Sequence, residues 1–308
     1  MTLSPLIRLS PEVSDALASR APVVALETAF VSQGFPAGGG AAVARDAETR
    51  VRAGGAVPAS VGVLDGAIGV GLTQSELDRF AESPDARKVG PRDLAACAVQ
   101  GALGATTVGG TLAVCRTAGI GFMGTGGLGG VHRGFALRPD VSADLAELAR
   151  TEALVVCSGV KSLLDVEATA EALESLGVPT LGFATDELPL FYARTSESHP
   201  PPPVSARVET PAEAAQIARA HWRLGRHSGV VVARPVTDGL EALEVERLIE
   251  QALAAADAER VRGQAVTPYV LARLHELSGG RTLDINGRLI ADNAGLAAEV
   301  AVAFAALA

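Results

Sequence analysis

Short β-rich apolar runs recur along the chain, and most are followed by a stretch carrying helical signals. This alternation narrows the fold more than any other feature. Strands are expected at Val23–Leu26, 120–123, Leu154–Cys157, 180–184 and 229–233. Two further apolar runs, 60–64 and Ala67–Val70, flank Asp65-Gly66, a two-residue hairpin signal. Helices are expected over 38–53, stopped by Gly54-Gly55, and from a Thr73-x-x-Glu76 capping box to about residue 82. Others are expected at 91–99 behind Pro91, at 111–118, at 143–150 with Ser142 as N-cap, and at 165–176. Thr210-Pro211-x-Glu213 opens one to residue 224, and 241–258, 268–277 and 287–307 complete the set. Strands alternating with helices predict an α/β sandwich with a mainly parallel sheet, and the hairpin makes that sheet mixed. Four prolines, Pro200 to Pro203 beside His199, read as a rigid connector or surface loop, with α/β sequence on both sides. A single domain over 1–308 is therefore expected.

Composition removes several classes of function. The chain has 308 residues, 48% of them hydrophobic, enough for a large core without disulfides. Its net charge of −9 argues against a nucleic-acid surface or an anionic membrane. Cys97, Cys115 and Cys157 lie far apart and form no CxxC pair, so neither a disulfide framework nor a zinc ribbon is expected. There is no apolar run long enough to span a bilayer and no signal-peptide pattern, so a cytoplasmic protein is expected.

The cations carry more information. Of 26 Lys plus Arg, only Lys88 and Lys161 are lysines. Arginine grips anions well but keeps its proton; a lysine amine loses one at modest pH and becomes a nucleophile. Lys161 follows a strand and the turn Ser158-Gly159-Val160, at the strand mouth where open α/β sheets hold ligands. A helix start disfavours a cation and apolar neighbours would depress its pKa, so a catalytic amine is expected there.

Four other features carry chemistry or an ordinary structural role. Gly124-Thr-Gly-Gly-Leu-Gly-Gly130 follows a strand and is either a plain loop or a set of backbone amides for a phosphate. Asp140-Val-Ser-Ala-Asp144 is either a helix cap or a site for a hard metal ion or ribose, where carboxylate oxygens suit Mg²⁺ or Mn²⁺. Glu27, at a strand end, is either an ion-pair partner or a partly buried carboxyl with a raised pKa suited to proton transfer. His132 is either catalytic or packed in a loop, whereas His199, His221, His227 and His275 sit in polar or helical contexts.

The segments Val23-Val-Ala-Leu-Glu-Thr28, Gly104-Ala-Thr-Thr-Val108, Thr125-Gly-Gly-Leu-Gly-Gly-Val-His-Arg-Gly134, Asp140-Val-Ser-Ala-Asp144 and Val156-Cys-Ser-Gly-Val-Lys-Ser162 together resemble the pseudouridine-5′-phosphate glycosidase family. Gly55-Ala-Val-Pro-Ala59, Thr185-Asp-Glu187, Phe191-Tyr192, Ala265-Val-Thr-Pro268 and Asn286 with Asn293-Ala294 extend the resemblance over nearly the whole chain. The GGxGGVHRG segment with a lysine about 30 residues on is far more specific than a lone GxGxxG. The resemblance implies a three-layer α/β/α sandwich, a homotrimer, and a divalent metal, typically Mn²⁺. It implies reversible splitting of pseudouridine 5′-phosphate into uracil and ribose 5-phosphate. A C–C glycosidic bond leaves a carbanion equivalent, so an imine at the sugar C1′ would serve as electron sink.

By resemblance, Lys161 is the imine-forming lysine, Glu27 the proton-transfer carboxylate and Asp140 the metal ligand. Lys88, Thr107, Val108, Thr125, Ser142, Ala143 and Asp144 match positions around phosphate, ribose or metal-bound water, and His132 and Asn286 match residues near sugar or base. Both lysines thus fall on site positions. The chain departs from the family pattern at Gln33, where His is usual, at Arg234, where Asn is common, and at Met123-Gly124, where an apolar–Ala pair is more usual. No kinase domain is expected to be fused. Other readings of the same residues are an indigoidine-synthesis A-type relative, another lysine-imine lyase of sugar phosphates such as an aldolase, or a non-catalytic sugar-phosphate-binding protein.

Overall fold

The computed structural model describes residues 3–36, 38–137, 139–193, 200–263 and 266–307. The strands are β1 (Ile7–Leu9), β2 (Val23–Leu26), β3 (Val57–Leu64), β4 (Ala67–Val70), β5 (Arg87–Val89), β6 (Gly104–Thr106), β7 (Phe122–Gly124), β8 (Val131–His132), β9 (Leu154–Cys157), β10 (Leu164–Asp165), β11 (Thr180–Phe183), β12 (Ala206–Val208) and β13 (Val230–Ala233). The helices are α1 (Pro11–Ala18), α2 (Ala29–Gln33), α3 (Gly39–Ala53), α4 (Gln74–Glu82), α5 (Leu94–Val99), α6 (Val108–Ala118), α7 (Ala143–Leu148), α8 (Val166–Ser175), α9 (Pro211–Arg223), α10 (Ala242–Ala258), α11 (Val266–Leu277) and α12 (Arg281–Ala305).

The main sheet runs β1-β4-β3-β2-β7-β9-β13-β11-β12, with β6 on β3 and β5 on β6. From β3 across to β12 every pairing is parallel; β4 and β6 pair antiparallel with β3. The central strands VVAL, LVVC and VVVA are buried at every residue, as strands covered by helices on both faces must be. On one side α12 crosses β2, β7 and β9 and packs against α3 and α9; α6 lies on β2, β3 and β6 and packs against α7. This is the expected α/β/α sandwich with a mixed, mainly parallel sheet.

The hairpin turn has Asp65 and Gly66 both in the left-handed region, at φ 52° and 79°, the geometry of a two-residue turn whose twist matches the strands. The helix expected from residue 111 begins earlier, at Val108, with Thr107 as N-cap. Gly109 and Gly110, breakers in isolation, are needed there: a Cβ on Gly110 would lie 2.4 Å from the Val89 carbonyl oxygen. The helix expected over 287–307 begins at Arg281, behind Gly280 at φ 87°. The stretch 91–99 divides into a 3₁₀ turn, Pro91–Asp93, followed by α5. Gly124, one of the family departures, sits where α12 presses on β7: a Cβ there would lie 2.7 Å from Ala294 Cα. Of the proline run, Pro202 accepts a hydrogen bond from the Leu188 amide at 2.8 Å and Pro203 bridges to Glu187; His199 lies outside the described residues.

Candidate active site

Strands β2, β7 and β9 are adjacent and parallel, so the residues that follow them emerge at one edge of the sheet, where α/β sheets bind ligands. A cavity of about 730 Å³ opens there. Its wall includes Glu27 from the end of β2, Gly126, Gly127 and Gly129 from the loop after β7, and Lys161 from the turn after β9. Lys88, Thr107, His132, Asp140, Ser142, Ala143, Asp144 and Asn286 complete the set of expected residues on that wall. Both lysines of the chain therefore share one cavity.

Glu27 is 5% exposed. Burial pushes its carboxyl above the usual glutamate range; nearby Lys161 and a hydrogen bond from Thr125 pull the other way without cancelling it. The Thr125 hydroxyl donates to Glu27 Oε1 at 2.5 Å. Lys88, on β5, has its ammonium pushed below the usual lysine range by burial and by the charge of Lys161, against the opposing pull of Asp144, Glu27 and Asp140. His132 is likewise pushed down by burial, with Asp140 opposing.

Asp144 has a different task from a free ligand. Its Oδ1 accepts the Gly109 amide at 2.7 Å and its Oδ2 the Gly129 amide at 2.9 Å. One carboxylate thus ties the first turn of α6 to the glycine-rich loop. Gly129 has no room for a side chain: a Cβ would lie 2.3 Å from Ser142 Oγ. Ser142 caps α7 by accepting from the Asp144 amide at 3.2 Å. The Asp140 side chain is 46% exposed and stands 3.9 Å from His132 Nε2. Two expected residues stand back from the cavity. Val108, which opens α6, is fully buried, and Thr125 reaches the cavity through its bond to Glu27.

Two residues given no role from sequence also belong here. Asn293, buried on α12, donates to the Thr125 carbonyl at 2.9 Å and to Ser158 Oγ at 3.0 Å, joining the loops after β7 and β9. The chain has only two asparagines, Asn286 and Asn293, and that scarcity was the available signal. Phe191 lines the cavity from a distant segment that no local pattern connects to it. Of the departures, Gln33 lines the cavity and its Nε2 donates to the Ala86 carbonyl at 3.4 Å, while Arg234 pairs with Asp292 at 3.5 Å outside it.

The fold and this cavity define an α/β protein whose candidate site lies at the carboxyl ends of its parallel strands. Residues 12–303 match the family model of the indigoidine synthase A like proteins. Pseudouridine-5′-phosphate glycosidases are similar over the full length. One from Symbiobacterium thermophilum is 47% identical, covering 98% of each chain, and one from Escherichia coli is 42% identical, covering 100% of this chain and 99% of that one. Among solved structures, the prealnumycin C-glycosynthase AlnA in complex with ribulose 5-phosphate matches with a TM-score of 0.89 and 37% identity, over 99% of this chain and 98% of that one. An indigoidine synthase A-like protein from Thermotoga maritima matches with a TM-score of 0.84 and 36% identity over 96% of both chains. The chain belongs to the indigoidine synthase A-like family, that of the pseudouridine-5′-phosphate glycosidases. No helix among the described residues is long and apolar enough to cross a membrane.

Proposed function

We propose that this enzyme reversibly cleaves pseudouridine 5′-phosphate to uracil and ribose 5-phosphate, in pseudouridine catabolism. The observation that carries this reading is the buried Glu27 carboxyl in one cavity with both lysines of the chain. The names of the relatives at 42–47% identity agree with it.

In this reading the substrate phosphate lies against Lys88, Thr107 and Ser142, near the start of α6, where a helix dipole favours an anion. Glu27, kept toward its protonated form by burial, gives its proton to the ribose ring oxygen as the C1′–O4′ bond opens. The neutral Lys161 amine bonds to C1′ and passes a proton to the Glu27 carboxylate just formed. The C1′–C5 bond then breaks, its electron pair staying on uracil C5, which takes that proton back from Glu27, while the lysine nitrogen pair forms the imine. Water adds to the imine carbon, and ribose 5-phosphate leaves with the amine restored.

A divalent metal, Mn²⁺ by family resemblance, fits a donor set of this kind. Asp140 offers an accessible carboxylate at the cavity wall, whereas both oxygens of Asp144 are occupied by amides. Among the described residues there is no cluster of three His, Cys, Asp or Glu, so the ion would be held by one carboxylate and completed by water or substrate. It would supply positive charge near the sugar phosphate. The assembly we propose is a homotrimer, and the compartment the cytoplasm. The test is to mix purified protein, Mn²⁺ and pseudouridine 5′-phosphate and measure free uracil. Its release supports the glycosidase; absence of uracil from folded, Mn²⁺-supplied protein would favour a family member that acts on another C-glycoside, since a C-glycosynthase is among the similar structures.

A further inference from the structure

We infer that Phe191 is the specificity-determining wall for the uracil ring, an inference that rests on the glycosidase reading. The glycine-rich loop shows which end of the cavity is which. At Gly129 a Cβ would meet Ser142 and Asp144; at Gly126 it would meet Ile290, Leu289 and, at 3.4 Å, Asn286 Oδ1; at Gly127 it would meet the Phe191 ring at 2.6 Å. Between these positions the Leu128 carbonyl accepts the Lys161 amide at 3.0 Å. The loop therefore runs from an aromatic and amide end, past the lysine, to a hydroxyl and carboxylate end beside Lys88 and α6. A sugar phosphate joined to a planar base has the same polarity. With the anion at the Lys88 end and C1′ at Lys161, the base falls at the Phe191 end. There Asn286 offers an amide donor and acceptor to match a pyrimidine edge, and Phe191 a π-system to match its face.

The backbone supports a functional placement. Phe191 has φ 62°, a left-handed conformation that is an outlier for a bulky side chain. Such strain persists only where surroundings over-determine it. Here the Phe191 amide donates to the Ser158 carbonyl at 3.1 Å, and Ser162 Oγ donates to the Leu190 carbonyl at 3.0 Å. Gly159 packs so closely that a Cβ would lie 2.0 Å from the Pro189 carbonyl oxygen. The segment bearing Phe191 is thus stapled to the turn that bears Lys161, which fixes ring and amine relative to each other. Phe191 is 3% exposed, with its ring tilted against Tyr192 at 4.4 Å; Phe30, another phenylalanine on the cavity wall, pairs edge-on with Phe35 at 6.4 Å.

The test runs the reaction toward synthesis, with uracil and ribose 5-phosphate varied separately, in wild type and in Phe191→Leu, Phe191→Gly and Phe191→Tyr. Glycine accepts the φ of 62° without strain, so Phe191→Gly keeps the test sound if Phe191→Leu folds poorly. The KM for uracil should rise about 5- to 100-fold in the Leu and Gly variants, as loss of a base-stacking ring does elsewhere. The KM for ribose 5-phosphate should stay within about 2-fold, borohydride should still trap ribose 5-phosphate on Lys161, and Phe191→Tyr should restore the uracil KM. An unchanged uracil KM in a folded variant, or an equal rise for both substrates, would overturn the assignment to Phe191. A wild type that neither joins uracil nor traps ribose 5-phosphate would instead remove the glycosidase reading and the inference with it.

Discussion

Thr125 and Glu27, 98 residues apart in sequence, meet in a buried 2.5 Å hydrogen bond in which the hydroxyl donates and the carboxylate accepts. That bond favours the charged form of Glu27 and so opposes the upward push of burial. Thr125→Val removes the donor at nearly constant shape, and the Glu27 pKa should rise further. For cleavage Glu27 must start protonated, so kcat/KM falls as pH rises past its pKa. The alkaline limb that belongs to Glu27 should therefore move to higher pH in Thr125→Val. A limb that stays or moves down would separate the bond from the proton transfer.

Glu27→Gln should lose about 10²–10⁴ in turnover while still binding substrate, since Gln keeps the shape but carries no proton. It should also gain stability, with a defined pH dependence. A carboxyl whose pKa is raised on folding contributes its full stability below the unfolded value, about 4.3, and loses it as pH rises through the folded value. Gln does not titrate. The melting temperature of Glu27→Gln should match wild type near pH 4 and exceed it at pH 8, and melting curves across that range check both ends.

Asp144→Asn tests the clamp between α6 and the glycine loop. An amide has one acceptor oxygen, so either the Gly109 or the Gly129 N–H must then face an NH₂ group. A buried donor left without its acceptor costs about 1–3 kcal/mol. A denaturant midpoint lowered by that amount, with a raised KM for the phosphorylated substrate, is the expected result.

Much of the fold was legible because its central strands are continuous apolar runs and its turns carry their own chemistry, as at Asp65-Gly66. What the sequence hid depends on neighbours distant in the chain. The three-residue strands β1, β5, β6 and β12 have no pattern outside the sheet that pairs them. The start of α6 was obscured by Gly109-Gly110, which are glycines because Asp144 and the Val89 carbonyl approach them. In the site, Lys88 and Lys161 stood out by scarcity, and Glu27 by its place at a strand end. Phe191 and Asn293 carried a family resemblance, and Asn293 scarcity as well, but no role: the one sits on a strap hydrogen-bonded to the Lys161 turn, the other on α12 laid across β7 and β9.

EDTA should abolish turnover and Mn²⁺ restore it. Asp140→Asn should weaken Mn²⁺ binding by at least about tenfold, measured by calorimetry without substrate, because a charged oxygen ligand is lost. Full turnover by rigorously metal-free protein would rule out the metal requirement.

Lys88→Arg should raise KM yet leave some turnover, because guanidinium also pairs with phosphate. Lys161→Arg should be inactive, because guanidinium keeps its proton and cannot form an imine. The most direct test is to treat wild type with ribose 5-phosphate, reduce with borohydride, and locate the sugar by peptide mass spectrometry. The adduct should lie on the peptide containing Lys161 and be absent from Lys161→Arg; an adduct on Lys88, or none on either lysine, would contradict the assignment of Lys161 as the amine that carries the sugar.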